Sequence, residues 1–227
     1  MKKTGLTSRN RASLKRTVAI AALAVATLFF ATATVKADLI ANGSFEDPEI
    51  PANSKTTGGT PTSWKCAGSW CWNSSGIANG NASSGWPGSK DGNQYVWIGY
   101  STHLYQTFTV PAGGGGQYSL TWYDNNWDAG WSYYTASILD NANNVVATTG
   151  TIGVPSDSTW RPRQILSVTL SSGSRYTLLF ADQIEWLTGL DNVSLSPSPS
   201  SVPIPPTLLL LGSGLIGLVG IRRRLKK

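Results

Sequence analysis

Between residues 38 and 196, apolar side chains recur at every second position. They do so in short runs separated by clusters of Gly, Asn, Asp and Ser. That period belongs to extended backbone, whose successive side chains point to opposite faces. Residues 117–123 place Tyr118, Leu120 and Trp122 on one face, and residues 175–181 place Tyr176, Leu178 and Phe180 together. Residues 165–170 group Leu166, Val168 and Leu170, and residues 104–110 group Leu104, Phe108 and Val110. Residues 94–100 are apolar on both faces, which predicts a central strand. Residues 135–139 and 145–149 flank Asp140-Asn141-Ala142-Asn143-Asn144, a hairpin turn, and the glycines at 113–116 make another turn. No stretch sustains a helical period. About eight short strands with frequent turns predict an all-β protein, an antiparallel β-sandwich. A domain of about 160 residues buries enough core to need neither metal nor disulfide.

The ends read differently. Residues 1–16 are basic and polar, residues 17–34 are apolar and small, and Val35-Lys36-Ala37 offers a cleavage site. This predicts a signal peptide over residues 1–37, with a permanent N-terminal anchor as the alternative. After the sandwich at 38–196 come a Ser/Pro linker at 197–201 and a C-terminal segment at 202–227. That segment holds the apolar run 207–221, then Arg222, Arg223, Arg224, Lys226 and Lys227. Its helix would span about 22 Å, short of the ~30 Å hydrocarbon core. Flanking residues and snorkelling arginines extend it into a single transmembrane helix with its basic end in the cytoplasm.

Charge follows the same division. Of 18 basic residues, 12 lie in residues 1–37 and in the last six, leaving six against all 12 acidic ones in between. The sandwich is therefore acidic, which excludes a nucleic-acid footprint. A single histidine, His103, excludes a multi-histidine metal centre.

Val202-Pro203-Ile204-Pro205, a Leu-rich stretch containing Gly212-Ser213-Gly214, and the arginines at 222–224 resemble the PEP-CTERM sorting signal. That resemblance implies an exported protein of a Gram-negative bacterium that makes extracellular polysaccharide. It also implies transient residence in the inner membrane and removal of the helix by an exosortase-type protease, with a destination at the cell surface or extracellular matrix. The chain departs from the signal at Ile204, where the family carries Glu; an ordinary membrane anchor is the other reading. A second resemblance rests on Asn42-Gly43-Ser44-Phe45-Glu46 at the start of the sandwich and Gly189-Leu190-Asp191-Asn192-Val193-Ser194-Leu195 at its close. Asp91-Gly92-Asn93-Gln94-Tyr95-Val96 and Tyr105-Gln106-Thr107-Phe108 lie between them. Together they resemble the galactose-binding-like jelly roll of many carbohydrate-binding modules. It implies neighbouring opening and closing strands, and often a structural Ca²⁺ beside them.

Asp191 shares parity with Val193 and Leu195, so alternation puts its carboxylate on the core-facing side, where it needs a partner. Glu46 is the candidate companion, and the pair suits Ca²⁺; the plainer reading is a carboxylate bonded to backbone N–H groups. Cys66 and Cys71, in an exported protein, predict a local disulfide beneath Trp64, Trp70 and Trp72. Trp97 and Trp122 fall in strands, whereas Trp70, Trp72, Trp86, Trp127 and Trp131 fall in Gly/Asn/Ser-rich segments. Sugar recognition needs flat apolar rings for pyranose C–H faces and planar polar groups for hydroxyls. Trp127 and Trp131, with Asn125, Asn126 and Asp128, are the candidate carbohydrate site; loop tryptophans that fold over the sandwich ends as core plugs are the alternative. A glycosidase would pair two carboxylates from Asp124, Asp128, Asp182 and Glu185, and no Gly-x-Ser-x-Gly elbow is present. The expectation is a non-catalytic protein that binds extracellular polysaccharide. An adhesive matrix protein with protein partners comes second and a glycoside hydrolase third.

Overall fold

The computed structural model describes residues 37–68, 70–80, 86–183 and 186–198. The signal segment, the sorting residues Val202, Pro203, Pro205, Arg222, Arg223 and Arg224, and Glu185 lie outside the described residues. Among the described residues no helix is long and apolar enough to cross a membrane.

Ten strands follow one another: β1 (Lys65–Ala67), β2 (Ser75–Asn79), β3 (Gln94–Ile98), β4 (His103–Thr109), β5 (Gly116–Asn125), β6 (Ser132–Asp140), β7 (Val145–Val154), β8 (Arg161–Leu170), β9 (Arg175–Asp182) and β10 (Thr188–Pro197). They pair antiparallel into two sheets of five. Sheet I runs β2-β3-β10-β5-β8 and sheet II runs β1-β4-β9-β6-β7. Only β2–β3 and β6–β7 are hairpins within a sheet, and every other connection crosses between the sheets. Five connections, including β5–β6 (126–131) and β7–β8 (155–160), therefore meet at one end of the sandwich.

Alternation builds the core. Tyr118, Leu120 and Trp122 of β5 meet Tyr134, Ala136 and Ile138 of β6 and Tyr176, Leu178 and Phe180 of β9 between the sheets. Residues 38–64 contribute Phe45 and Trp64, whose rings lie 5.2 Å apart, and glutamine side chains stitch this irregular segment down. Gln106 both accepts from Ala41 N and donates to Ala41 O, at 2.8 Å each. Gln94 accepts from Ile50 N and donates to the carbonyls of Phe45 and Pro48. Buried polar side chains persist where they replace the water-facing partners of backbone groups. The opening segment does lie against β10: Val193 N donates to Gly43 O at 2.8 Å, and Leu39 N donates to Leu195 O at 3.1 Å. It does so as a turn, with Asn42 and Phe45 at positive φ, rather than as a strand.

Two bulges overturn two parity assignments. Tyr118 pairs with Val168 but Leu120 pairs with Ile165, so one extra residue sits in β8. Ile165 takes the inward position, and Leu166 is 68% exposed rather than grouped with Val168 and Leu170. A bulge reverses the facing of every residue beyond it. Likewise Asp191 pairs with Tyr123 while Ser194 pairs with Thr121, and Asn192 adopts φ 50° between them. Leu190, Val193 and Leu195 face the core, and Asp191 faces outward from sheet I.

The open side between edge strands β7 and β8 is closed by a polar chain. Trp122 Nε1 donates to Tyr134 Oη (2.7 Å), Tyr134 Oη donates to Asp124 Oδ2 (2.8 Å), and Arg163 Nε donates to the same oxygen (2.7 Å). Burial raises the Asp124 pKa; Arg163 and Tyr134 oppose that shift.

Candidate functional site

The outer face of sheet I is where fold and chemistry converge. Register places Gly76, Trp97, Gly189 and Asn125 in one row across β2, β3, β10 and β5. The adjoining row holds Ala78 beside Tyr95, and Asp191 beside Tyr123 and Pro162. The glycines make room for close neighbours: a Cβ on Gly76 would sit 2.0 Å from Thr56 O and 2.9 Å from Trp97 Nε1. One on Gly189 would sit 2.8 Å from Trp127 Cζ3, 3.3 Å from Trp160 and 3.4 Å from Tyr95.

Three connections bring rings down onto this floor. Trp86 comes from the β2–β3 connection, Trp127 from β5–β6 and Trp160 from β7–β8. Ring centroids lie 4.5 Å apart for Trp86–Trp127, 5.7 Å for Tyr95–Trp127, 5.3 Å for Tyr95–Trp160 and 5.7 Å for Trp86–Trp97. Several pairs are edge-to-face, as the ring quadrupole favours. The roof rings and Leu187 are partly buried, and Tyr95 and Trp97 beneath them are buried.

Residues 86–93 form a strap along this face, held by carboxylates. Asp191 Oδ2 accepts from Lys90 N (2.7 Å) and Asp91 N (2.9 Å), and its Oδ1 accepts from Asn192 N (2.7 Å). Glu46 Oε1 accepts from Asn93 N and Gln94 N at 2.8 Å each. Trp160 Nε1 donates to Gly88 O at 2.7 Å, and Lys90 Nζ lies 4.8 Å over the Tyr123 ring. Burial pushes the Asp191 carboxyl up to about 7, against the pull of its three backbone donors. Burial, and then the Asp191 charge, raise the Tyr95 phenol.

What distinguishes this floor is unmet bonding capacity. Tyr95 Oη, Trp97 Nε1 and both amide atoms of Asn125 are buried with no hydrogen-bond partner. Asn125 is 0% exposed. A buried amide lacking both its bonds costs roughly 1–3 kcal/mol or more, so native proteins rarely keep one without a use.

The five residues predicted for sugar binding part company. Asn125 and Trp127 belong to the floor and roof of sheet I. Asn126 is buried and holds its own loop: Nδ2 donates to Gly130 O and Val154 O, and Oδ1 accepts from Asp128 N. Asp128 accepts from Ala129 N. Trp131 lies away from Trp127 and stacks on Tyr133. Trp160, Tyr95 and Trp97 were not marked as ligand residues by sequence. Their one signal was the apolar character of β3 on both faces, which required something to cover the outer one.

Glu46 and Asp191 are ringed by N–H donors, where a cation needs about 6–8 oxygens. Among the described residues no three His, Cys, Asp or Glu side chains gather as a metal site. Glu46 and Asp191 thus anchor backbone N–H groups, the plainer of the two expectations for them. Cys66 and Cys71 form the disulfide, and Ser75 Oγ donates to Cys71 O at 2.8 Å, tying the staple to β2. Trp70 and Trp72 beside it are exposed. Of the acids weighed for catalysis, Asp124 is bound by Arg163 and Asp182 accepts from Ser101 N at 3.0 Å.

The fold is a jelly roll. It is similar to TmCBM61, solved in complex with β-1,4-galactotriose, with a TM-score of 0.53 and 16% identity over 71% of this chain and 99% of that one. It is also similar to the C-terminal family 22 carbohydrate-binding module of Clostridium thermocellum Xyn10B (TM-score 0.45, 12% identity, 68% and 99% covered). A third similarity is to part of the arabinose-bound MgGH51 α-L-arabinofuranosidase (TM-score 0.48, 11% identity, 72% of this chain and 27% of that one). No protein-family model and no curated protein matches the chain. At such identities the first likeness establishes the architecture and nothing finer.

Proposed function

We propose that this is an exported, non-catalytic polysaccharide-binding protein whose ligand engages the outer face of sheet I. The observation that carries the reading is the Asn125 amide, buried and without partners, in the row shared with Trp97 and under Trp127 and Trp160. Sugar hydroxyls donate and accept, as that amide, the Tyr95 phenol and the Trp97 indole require. The roof rings offer apolar faces to pyranose C–H bonds. A saccharide that parts Trp86, Trp127 and Trp160 would satisfy the floor and keep the rings covered. Of the acids weighed for catalysis, Asp124 holds Arg163, Asp128 holds Ala129 N and Asp182 holds Ser101 N, which supports a role without catalysis. Export is supported by the signal-like residues 1–37 and by the disulfide, which persists outside the reducing cytosol. The sorting-signal resemblance at 202–227 supports membrane insertion, exosortase processing and delivery to the cell surface or matrix.

Asn125→Leu tests the site. Replacing an unbonded amide with an apolar isostere leaves stability unchanged or raises it by up to about 1 kcal/mol. If the amide serves a ligand, the same change weakens binding at least tenfold. Native affinity electrophoresis in gels of β-1,4-galactan, xylan and β-glucan reads the binding, and thermal melting reads the stability. Retardation in one gel, weakened in Asn125→Leu and Trp127→Ala with Asn125→Leu melting like wild type, supports the reading. Retardation in none of them overturns it.

A further inference from the structure

On the far side of the sandwich, Trp131 and Tyr133 are 54% and 37% exposed, with ring centroids 6.4 Å apart and planes 24° from parallel. Both rings rest on bare backbone. A Cβ on Gly153 would stand 3.2 Å from Tyr133 Cε1 and 3.4 Å from Trp131 Cε3 and Cζ3. Gly153 is the direct partner of Tyr133 across β6 and β7, so the two positions share the outer face of sheet II. Tyr134, next along, points into the core.

The seat is fixed before any ligand arrives. Gln183 N donates to Tyr133 O at 2.8 Å. Asn126 Nδ2 holds Gly130 O, one residue before Trp131, at 2.6 Å, and Trp186 packs against Gly130. Rigid aromatic surface binds with little loss of conformational freedom.

We infer that Trp131 and Tyr133 are a second saccharide platform, so that one molecule holds two neutral polysaccharide chains on opposite faces. The inference rests on the sheet I reading for its first site and on the ring geometry above for its second. Size suits a sugar: two half-exposed rings offer on the order of 200 Å², the scale of one or two pyranose faces rather than of the about 800 Å² per partner in a stable protein interface. Charge points to the ligand class. Thr135, Thr151, Gly153 and Gln183 around the rings are uncharged, and Thr151 Oγ1 donates to Gln183 Oε1 at 3.3 Å. The rest of the sandwich carries six basic residues against 12 acidic ones, which disfavours an anionic polymer. Because the two sheets face away from each other, one stretch of polymer cannot occupy both sites, and binding links two chains. Linkage then gains strength by avidity without any new contact.

The experiment uses the full chain with two probes, β-1,4-galactan and xylan. Isothermal titration with the matching tetrasaccharides counts sites, and turbidity of the polymers reads cross-linking. Two sites per chain are expected. Trp131→Ala and Tyr133→Ser should each leave one site of unchanged affinity and melt like wild type, because both side chains are exposed. Asn125→Leu should leave the other site. Each variant should keep gel retardation and lose turbidity at least tenfold. A single site that Trp131→Ala and Tyr133→Ser leave intact overturns the second platform and spares the sheet I reading. A single site lost in Trp131→Ala but intact in Asn125→Leu overturns the sheet I reading and with it the bivalency. Binding to neither probe overturns the inference.

Discussion

The two outer faces belong to antiparallel sheets of five strands each, yet water treats them oppositely. On sheet I, Tyr95, Trp97, Asn125 and Asp191 are buried under a strap and three tryptophans. On sheet II, Thr107, Thr109, Tyr133 and Arg175 are exposed, and Thr107 and Thr177 bond hydroxyl to hydroxyl at 3.3 Å. An antiparallel sheet normally keeps one face wet. Sheet II obeys, and among the described residues its exposed large apolar side chains include the Trp131–Tyr133 ledge and Val145 and Val146 of β7. Sheet I does not, and its dry outer face holds Tyr95 Oη, Trp97 Nε1 and the Asn125 amide without hydrogen-bond partners. Where covering a sheet leaves donors and acceptors unmatched, the cover is doing something other than completing a core.

The largest expected contrast is in acid response. The Asp191 carboxyl sits at about 7 in the folded protein, raised by burial, against about 3.9 in an unfolded chain. The folded state therefore holds that proton more tightly. Stability from this group is full below about pH 4, declines as pH rises, and levels off above 7. Wild type should lose about 2–4 kcal/mol relative to Asp191→Asn between pH 4 and 7.5 in urea titrations. On sheet II, Asp140 at the hairpin runs the other way, its pKa lowered by the Asn144 side chain and by backbone donors. Its contribution is lost as pH falls, so the Asp140→Asn difference curve should slope in the opposite sense. Parallel slopes for the two variants would break the contrast between the faces.

Next in size is a pair of glycines at equivalent places. Gly189→Ala drives a methyl to 2.8 Å from Trp127 beneath the packed roof and should cost about 1–3 kcal/mol, as overpacking does. Gly153→Ala meets Tyr133 and Trp131 at 3.2–3.4 Å, but those rings have solvent above them and can lift, so the cost should stay within about 0.5 kcal/mol. Equal shifts in the urea midpoint would mean that the roof on sheet I yields as easily as an open surface.

This contrast also explains what the sequence disclosed. Strands β4 and β9 of sheet II alternate cleanly, and their core residues were legible one by one. Strand β3 was legible as apolar on both sides, though not as the floor of a site. The facing of Leu166 and Asp191 was not legible, because a bulge depends on which residue the partner strand offers. Asn125 and Trp127 were read into one site with Trp131 because they are neighbours in sequence. The backbone turn at Asn126, whose side chain ties Gly130 to Val154, sends them to opposite faces.

The smallest expected effect is none. Jelly rolls of the type that the opening and closing motifs resemble often carry calcium, and Glu46 and Asp191 are the side chains that would hold it here. Both instead accept backbone N–H donors, five in all, three of them on the strap. An N–H shell directs positive charge at the carboxylates and so competes with a cation for the same oxygens. A metal bound at 100 times its Kd would add about 2.7 kcal/mol to stability and raise the melting temperature by several degrees. Removing divalent ions with chelator should therefore leave the melting temperature unchanged, and adding millimolar calcium should not raise it. A drop on chelation that Glu46→Gln abolishes would make the dry face of sheet I a metal-dependent state, with its strap held by a cation rather than by backbone donors.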